Sequence, residues 1–152
     1  MIAIDTGFLV ALLDRRDAWH SRAWDMRDTA SLGWITTWPV LTECCHLLQR
    51  ALGTDYVVGL MEDVASGGIQ IWQLPEAQLA RSPQLMRKYA SLPMDLADAS
   101  LIWVADTLGV LDILTLDRRD FGVYRSARGR ALRNLLDASP AARGRTRRRP
   151  SR

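Results

Sequence analysis

Short apolar segments rich in branched residues recur along this chain, and they alternate with stretches whose apolar residues are spaced as in helices. The pattern predicts strands over residues 2–5, 33–36, 69–74, 113–116 and, as a last strand, 131–136. Two helical segments separate each of the first three strands from the next. Strands that alternate with helices in this way favour a mainly parallel central sheet flanked by helices. We therefore expect a single α/β domain.

The predicted helices are bounded by ordinary start and stop residues. Pro39 suits the first turn of one helix and Gly53 follows its end, while Gly109 closes another. The helices are predicted over residues 8–13, 18–29, 37–52, 56–65, 75–91 and 92–108.

Four acidic residues stand where apolar stretches end or turn, and we call them the acidic tetrad: Asp5, Glu43, Asp98 and Asp117. Two close predicted strands, and two lie near the starts of helices. Sites in open parallel sheets form outside the carboxyl ends of the strands, so we expect the four carboxylates at that edge. Like charges that close cannot stay ionised without a counter-cation. Carboxylate oxygens favour Mg²⁺, with Mn²⁺ as a second possibility.

Two tetrad residues have structural explanations of their own. Asp98 follows a predicted N-cap, Asp95, by three residues, so its charge also suits the positive end of a helix dipole. Glu43 lies on the flank of an apolar stripe and could form an ion pair with Arg50. Both residues can serve their helix and still reach the edge of the sheet.

The other two tetrad residues, Asp117 and Asp5, differ in how well a purely structural role accounts for them. Asp117 could accept a turn hydrogen bond or pair with a neighbouring arginine, and Asp120 competes with it as a metal ligand. Asp5 ends a buried strand, where a carboxylate requires partners, and its neighbour Thr6 alone supplies a weak one.

The charge of the chain is unevenly distributed. Its 152 residues carry a formal net charge of +3, yet residues 143–152 contain six arginines and no acid, which leaves about −3 for the rest. We expect a folded domain over residues 1–137 and a basic, disordered tail over residues 138–152. A second set of arginines follows Asp117 and supplies candidate contacts to nucleic-acid phosphates: Arg118, Arg119, Arg125, Arg128, Arg130 and Arg133.

The cysteines and the hydropathy bear on the compartment. Cys44 and Cys45 are adjacent in a predicted helix, which is the wrong geometry for a structural disulfide. No apolar run approaches the roughly 20 residues of a membrane span, and no secretory signal precedes the first strand. A cytoplasmic protein without a membrane contact is expected.

The order and spacing of four motifs resemble those of the PIN-domain family, with the VapC-type toxins of bacterial toxin–antitoxin pairs as the best likeness. The resemblance extends over about residues 1–137. The motifs are Ile4-Asp5-Thr6, Leu41-Thr42-Glu43, Leu96-Ala97-Asp98-Ala99-Ser100-Leu101 and Thr115-Leu116-Asp117-Arg118-Arg119-Asp120-Phe121.

The resemblance implies a divalent-metal-dependent endoribonuclease toxin that forms a homodimer and is blocked by a cognate antitoxin. The acidic tetrad would hold the metal, with Asp5 and Asp98 as direct ligands and Asp117 acting through water or on a second ion. Glu43 would ligate the metal or orient the attacking water. Thr115 matches the family's small hydroxyl residue. Cys44-Cys45 departs from the small residues that are usual after the glutamate.

Other classes of protein fit less well or remain open. A receiver-like signalling domain needs a lysine at a later strand end, but Lys88, the only lysine, is predicted within a helix. An aspartyl-phosphate phosphatase needs Asp-x-Asp, and Asp5 is followed by Thr6-Gly7. A binding module without activity and a stand-alone RNA-processing nuclease both remain as alternatives.

Overall fold

The structure is a computed structural model that describes residues 1–92 and 94–137. The predicted basic tail, residues 138–152, lies outside the described residues, as does Pro93. In the described part of the chain, no helix combines the length and the apolar character that a membrane span requires.

A five-stranded sheet forms the centre of the fold, and every pairing between its strands is parallel. The strands are β1 (Ile2–Ile4), β2 (Trp34–Thr37), β3 (Ile69–Trp72), β4 (Asp112–Leu114) and β5 (Arg133–Asn134). Their order in the sheet is β3-β2-β1-β4-β5. The predicted α/β class with a mainly parallel sheet is therefore confirmed.

The strand β1 occupies the middle of this sheet because all three of its residues are apolar and buried. β2 and β3 extend the sheet on one side of β1, and β4 and β5 extend it on the other. The direction of strand addition thus reverses between β1 and β4. Such a reversal opens a crevice at the carboxyl ends of the two strands, which is the usual position of a site in this architecture.

Eight α-helices of the described residues flank or border the sheet. They are α1 (Thr6–Leu13), α2 (His20–Trp24), α3 (Trp38–Ala51), α4 (Thr54–Ala65), α5 (Glu76–Leu79), α6 (Ser82–Lys88), α7 (Leu96–Leu108) and α8 (Arg118–Val123). A short 3₁₀ helix, Arg27–Leu32, leads into β2.

Two predicted helices are broken in the structure. The helix expected over residues 18–29 ends at Trp24, and the 3₁₀ helix continues the chain from Arg27. The helix expected over residues 75–91 is divided into α5 and α6, with Pro83 in the first turn of α6. Proline has no N–H to donate to a preceding turn, so it begins a new helix more readily than it continues an old one.

The helices α3 and α7 pack against each other beside the sheet and carry two of the tetrad residues. α7 buries an almost continuous run from Ala99 to Ala105 and ends at Gly109, whose positive φ of 69° suits glycine. A buried hydrogen bond of 2.5 Å joins the hydroxyls of Thr37 and Ser100. This packing fixes where the first turn of α7 lies relative to the end of β2.

Candidate active site

Asp5 follows β1 directly and is the N-cap of α1. Its side chain is only 8% exposed, and both of its carboxylate oxygens accept hydrogen bonds. The backbone N–H of Thr6 donates to Oδ1 over 2.7 Å, and the hydroxyl of Thr115 donates to Oδ2 over 2.8 Å. Burial nevertheless raises the pKa of Asp5 to about 6, because two hydrogen bonds replace only part of its lost hydration.

Thr6 connects Asp5 to the second tetrad residue. Its hydroxyl lies 2.8 Å from Oε2 of Glu43 and 3.3 Å from the carbonyl oxygen of Val40. The carboxylate oxygen is the nearer acceptor, and carboxylates accept stronger hydrogen bonds than neutral carbonyls do, so it is the stronger partner. Glu43 itself is exposed, on the flank of α3 as its helical position predicts. The ion pair with Arg50 is absent from the described residues.

Asp98 lies in the first turn of α7 and faces two other acids. Asp95 caps the helix by accepting the N–H of Asp98 over 2.9 Å, as predicted. Burial raises the pKa of Asp98 to about 7, and the charges of Asp95 and Asp5 contribute to the rise. The helix-capping explanation and the site explanation therefore both apply to this turn, because the cap is Asp95 and Asp98 is left facing Asp5.

Asp117 is the N-cap of α8 and accepts the N–H of Asp120 over 2.9 Å. Its own N–H donates to the hydroxyl of Thr115 over 3.0 Å. Since the same hydroxyl donates to Asp5, Thr115 joins the ends of β1 and β4 across the crevice. Asp117 does not pair with its neighbouring arginines: Arg118 binds Asp137, and Arg119 lies 3.6 Å from Asp120.

Tyr124 belongs to this site although no motif in the sequence pointed to it. Its hydroxyl donates to Oδ2 of Asp98 over 3.2 Å. Burial, followed by the charges of Asp98 and Asp120, raises the pKa of Tyr124 above its ordinary value. The phenol therefore stays protonated and can donate. Only the fold of α8 and the segment after it brings Tyr124 back to α7.

The four tetrad residues thus share one edge of the sheet. Thr6 joins Asp5 to Glu43, and Thr115 joins Asp5 to the backbone of Asp117. The charge of Asp5 acts on Asp98, which also accepts from the Tyr124 hydroxyl. Among the described residues, none of the tetrad carboxylates forms a salt bridge. Likewise, no group of three or more His, Cys, Asp or Glu side chains in the described residues is close enough to hold a metal ion. The donor set is all oxygen and suits Mg²⁺ or Mn²⁺ in chemistry.

A groove of about 720 Å³ opens beside these carboxylates. Glu43 and Asp95 lie on its wall, together with the half-exposed ring of Trp38 and the side chain of His46. The indole N–H of Trp38 donates to Gln73 over 3.2 Å, which holds the ring beside the groove. The groove therefore offers an apolar surface immediately next to Glu43.

The candidate phosphate-binding arginines are dispersed in the structure. Arg118 and Arg119 carry acid partners, and Arg133 forms a two-fold contact with Asp112 at the opposite edge of the sheet. Arg125 and Arg128 follow α8 and carry no salt bridge among the described residues. The structure therefore does not form one basic surface from this sequence cluster.

Comparisons with known proteins agree on the fold. The family model described as "PIN domain" matches residues 2–126. Ribonuclease VapC26 of Mycobacterium tuberculosis (strain ATCC 25618 / H37Rv) is 26% identical over 126 residues, which is 83% of this chain and 93% of that protein. The crystal structure of Mycobacterium tuberculosis VapC20, described as a sarcin-ricin loop cleaving toxin, superposes with a TM-score of 0.74 at 20% identity. That match includes 80% of this chain and 94% of VapC20.

Proposed function

The chain belongs to the PIN-domain family, and from that premise we propose that it is a divalent-metal-dependent endoribonuclease, the toxin of a type II toxin–antitoxin pair. The observation that carries this proposal is the buried, uncompensated carboxylate of Asp5, tied through Thr6 to Glu43 and through Thr115 to the Asp117 backbone. The similarity to a protein named as a VapC ribonuclease supports the substrate class.

The tetrad residues would hold the metal. Asp5 and Asp98 are the proposed direct ligands, because each has a raised pKa and each contributes to an electrostatic field that a cation would relieve. Asp117 would act through water or on a second ion, with Asp120 as the alternative donor on the same turn. When bound, the ion would neutralise charge on the phosphate and lower the pKa of a water.

The residues of the chain have separate roles in the proposed hydrolysis. The Thr6 hydroxyl fixes one oxygen of Glu43 and leaves the other free to orient an attacking water. Thr115 holds the carboxylate of Asp5 in one orientation. The Tyr124 hydroxyl helps to orient Asp98 by donating to Oδ2. Such fixed donors and acceptors avoid reorganisation during the reaction.

The partners are also part of the proposal. A cognate antitoxin would block the site, and a second copy of the chain would form a homodimer, with action in the cytoplasm where RNA is available. Several large apolar side chains are exposed on neighbouring helices and could contribute to these contacts: Trp19, Trp24, Leu47, Tyr56, Val58 and Met61. The domain limits, residues 1–137 followed by a basic tail, remain part of the same hypothesis.

The test is cleavage of total tRNA by purified protein free of antitoxin, in the presence of Mg²⁺, of Mn²⁺ or of EDTA. We expect cuts at discrete positions with either metal and none with EDTA. Asp5→Asn and Asp98→Asn should abolish them, whereas Asp63→Asn, at an exposed acid of α4, should not. Folded protein that cuts RNA under no condition would instead favour a binding module without activity.

A further inference from the structure

Three cationic side chains surround one pocket that borders α7 at Trp103 and Asp106. The pocket has a volume of about 550 Å³. We call it the basic pocket and define it by Gln78, Arg81, Gln84, Lys88, Asp106 and Arg125. The sequence pointed to Arg125 as a phosphate contact but not to Arg81 or Lys88. The three cations come from separate segments: the residue before α6, the end of α6 and the segment after α8.

The cations of the basic pocket are available to a ligand. In residues 1–92 and 94–137, neither Arg81 nor Lys88 forms a salt bridge. Nη1 of Arg125 donates to the carbonyl oxygens of Gly122 and Tyr124, both over 2.8 Å. These two bonds hold the guanidinium in place, and no carboxylate of the described residues pairs with it.

The one carboxylate on the wall of the basic pocket, Asp106, already has a backbone partner. Its Oδ1 accepts the N–H of Ala127 over 2.5 Å. With three cations and one anion, the side chains that line the pocket carry a net charge of about +2. The amides of Gln78 and Gln84 add neutral donors, and that of Gln78 lies 3.3 Å from the Thr107 hydroxyl. The pocket is therefore suited to an anion.

The basic pocket is physically connected to the candidate active site. Asp106 follows Asp98 by eight residues on α7, which is about 12 Å along the helix axis. Tyr124, which donates to Asp98, is followed directly by Arg125. The Arg125 N–H donates to the hydroxyl of Tyr89 over 3.0 Å, and the rings of Tyr89 and Tyr124 meet edge to face at 5.0 Å.

We propose that the basic pocket binds phosphate groups of the RNA strand at a position other than the scissile bond. This inference rests on the proposed function. An acidic site repels RNA, so a nuclease of this type requires cations within reach of the same strand. The connection through Tyr124 favours RNA, since the substrate strand has to pass Asp98 and the pocket adjoins the residues that hold Asp98.

The experiment measures RNA binding without cleavage. The full chain is titrated in EDTA against a short fluorescein-labelled single-stranded RNA, and fluorescence anisotropy gives the Kd at several salt concentrations. The double variant Arg81→Gln/Lys88→Gln removes two pocket charges. The control, Arg50→Gln/Arg87→Gln, removes two exposed charges outside the pocket, one of them on the same helix.

For the pocket variant we expect the Kd to rise about tenfold and the slope of log K against log salt to fall by about 1.4, or 0.7 for each lost contact with a single strand. The control should change either quantity much less. Equal losses in both variants would overturn the proposal, because they would report net charge alone. A poly-glutamate peptide that binds as tightly as RNA, and loses the same factor in the pocket variant, would also overturn it.

A second readout separates this proposal from the proposed function. If cleavage is observed with metal, the pocket variant should raise KM and leave kcat nearly unchanged, since Arg81 and Lys88 do not touch the reacting phosphate. If cleavage is absent but the salt slope falls as expected, the pocket is an RNA site and only the catalytic proposal fails. A normal melting temperature for both variants verifies that they are folded.

Discussion

The two edges of the sheet use the same residue types in opposite ways. At the amino end of β4, Asp112 meets Arg133 of β5 through two contacts of 2.6 and 2.7 Å, and this pairing raises the pKa of the arginine. At the carboxyl end, Asp5 and Asp98 have no cationic partner in the described residues, and their pKa values rise to about 6 and about 7.

The comparison distinguishes acids that are paired with a cation from buried acids that have no cationic partner and cost stability. A paired surface carboxylate adds little stability and is easily replaced. Buried carboxylates without cations cost stability, and strongly perturbed groups of this kind cluster at functional sites. The difference in environment, more than the presence of acids, marks the carboxyl edge as the candidate active site.

The largest expected effect is on cleavage. Asp98→Asn should lower the rate of RNA cleavage in Mg²⁺ by at least about 10²-fold, because it removes a charge from the reacting centre. Asp112→Asn, at the other edge, should leave the rate within about twofold, since a surface ion pair has little energetic weight. The measurement is the initial rate for both variants at equal protein concentration. Equal rates in the two variants would remove the distinction between the edges.

The next effect concerns the hydroxyl that joins β1 to β4. Thr115→Val keeps the shape of a buried side chain but deprives Asp5 of a donor, which should lower the free energy of unfolding by about 1–3 kcal/mol and slow cleavage. Thr115→Ser keeps the hydroxyl and should retain most of both properties. Urea unfolding and cleavage assays measure the two effects. A valine variant as active as the serine variant would show that this hydroxyl does not orient Asp5.

A smaller effect is expected on the pH dependence of stability. The pKa values of Asp5 and Asp98 are higher in the folded chain than their ordinary value of 3.8, so the folded state binds protons more tightly than the unfolded state. The stability that these two groups contribute is therefore full at pH below about 4 and is lost as pH rises to about 7. Urea midpoints measured in EDTA across this range should reveal the loss, against a background set by the other groups.

The same reasoning predicts a stabilised variant. Asp98→Asn should raise the stability of the metal-free protein at pH 7.5 by on the order of 1 kcal/mol, after allowance for solvent at this half-buried position. It should also flatten the pH profile between about 4 and 7. A variant that is less stable than the parent, with an unchanged pH profile, would contradict the view that the charge of Asp98 costs stability.

The smallest effect belongs to the paired edge. Arg133→Gln should reduce stability by less than about 1 kcal/mol and leave cleavage unchanged, because the guanidinium is largely exposed. Thermal unfolding in low and high salt provides the measurement. A much greater loss of stability would show that Asp112 depends on its pairing with Arg133. The acids at the two edges of the sheet would then no longer differ in their contribution to stability.

Much of the fold could be predicted from the sequence because it depends on local patterns of apolar and polar residues. Apolar segments predicted strands over residues 2–5 and 113–116, and the structure has them at Ile2–Ile4 and Asp112–Leu114. The parallel order followed from the helices between the strands. The tetrad could be located at one edge for the same reason, since the carboxyl ends of parallel strands coincide. The helix breaks at Pro83 and after Trp24 were missed because short helices depend on packing more than on spacing.

The contacts between segments that are distant in sequence could not be predicted from local patterns. Nothing local indicates that Tyr124 returns to Asp98, or that Arg118 binds Asp137 instead of remaining free for a phosphate. Arg81 and Lys88 join Arg125 only because α6 and the segment after α8 lie against the same part of α7. Adjacency in sequence suggested an arginine cluster, whereas the folded chain forms its basic pocket from residues about 40 positions apart.

The hydrogen bond from Thr115 to Asp5 determines how late in synthesis the candidate active site can be completed. The two residues are separated by 110 positions, so a ribosome delivers Asp5 long before the strand that supplies its partner. An unfinished chain that stops short of β4 lacks that strand, the Thr115 hydroxyl and Asp117, however well β1, β2 and β3 have paired. Such a chain therefore lacks part of the proposed active site until β4 and the turn after it have been made.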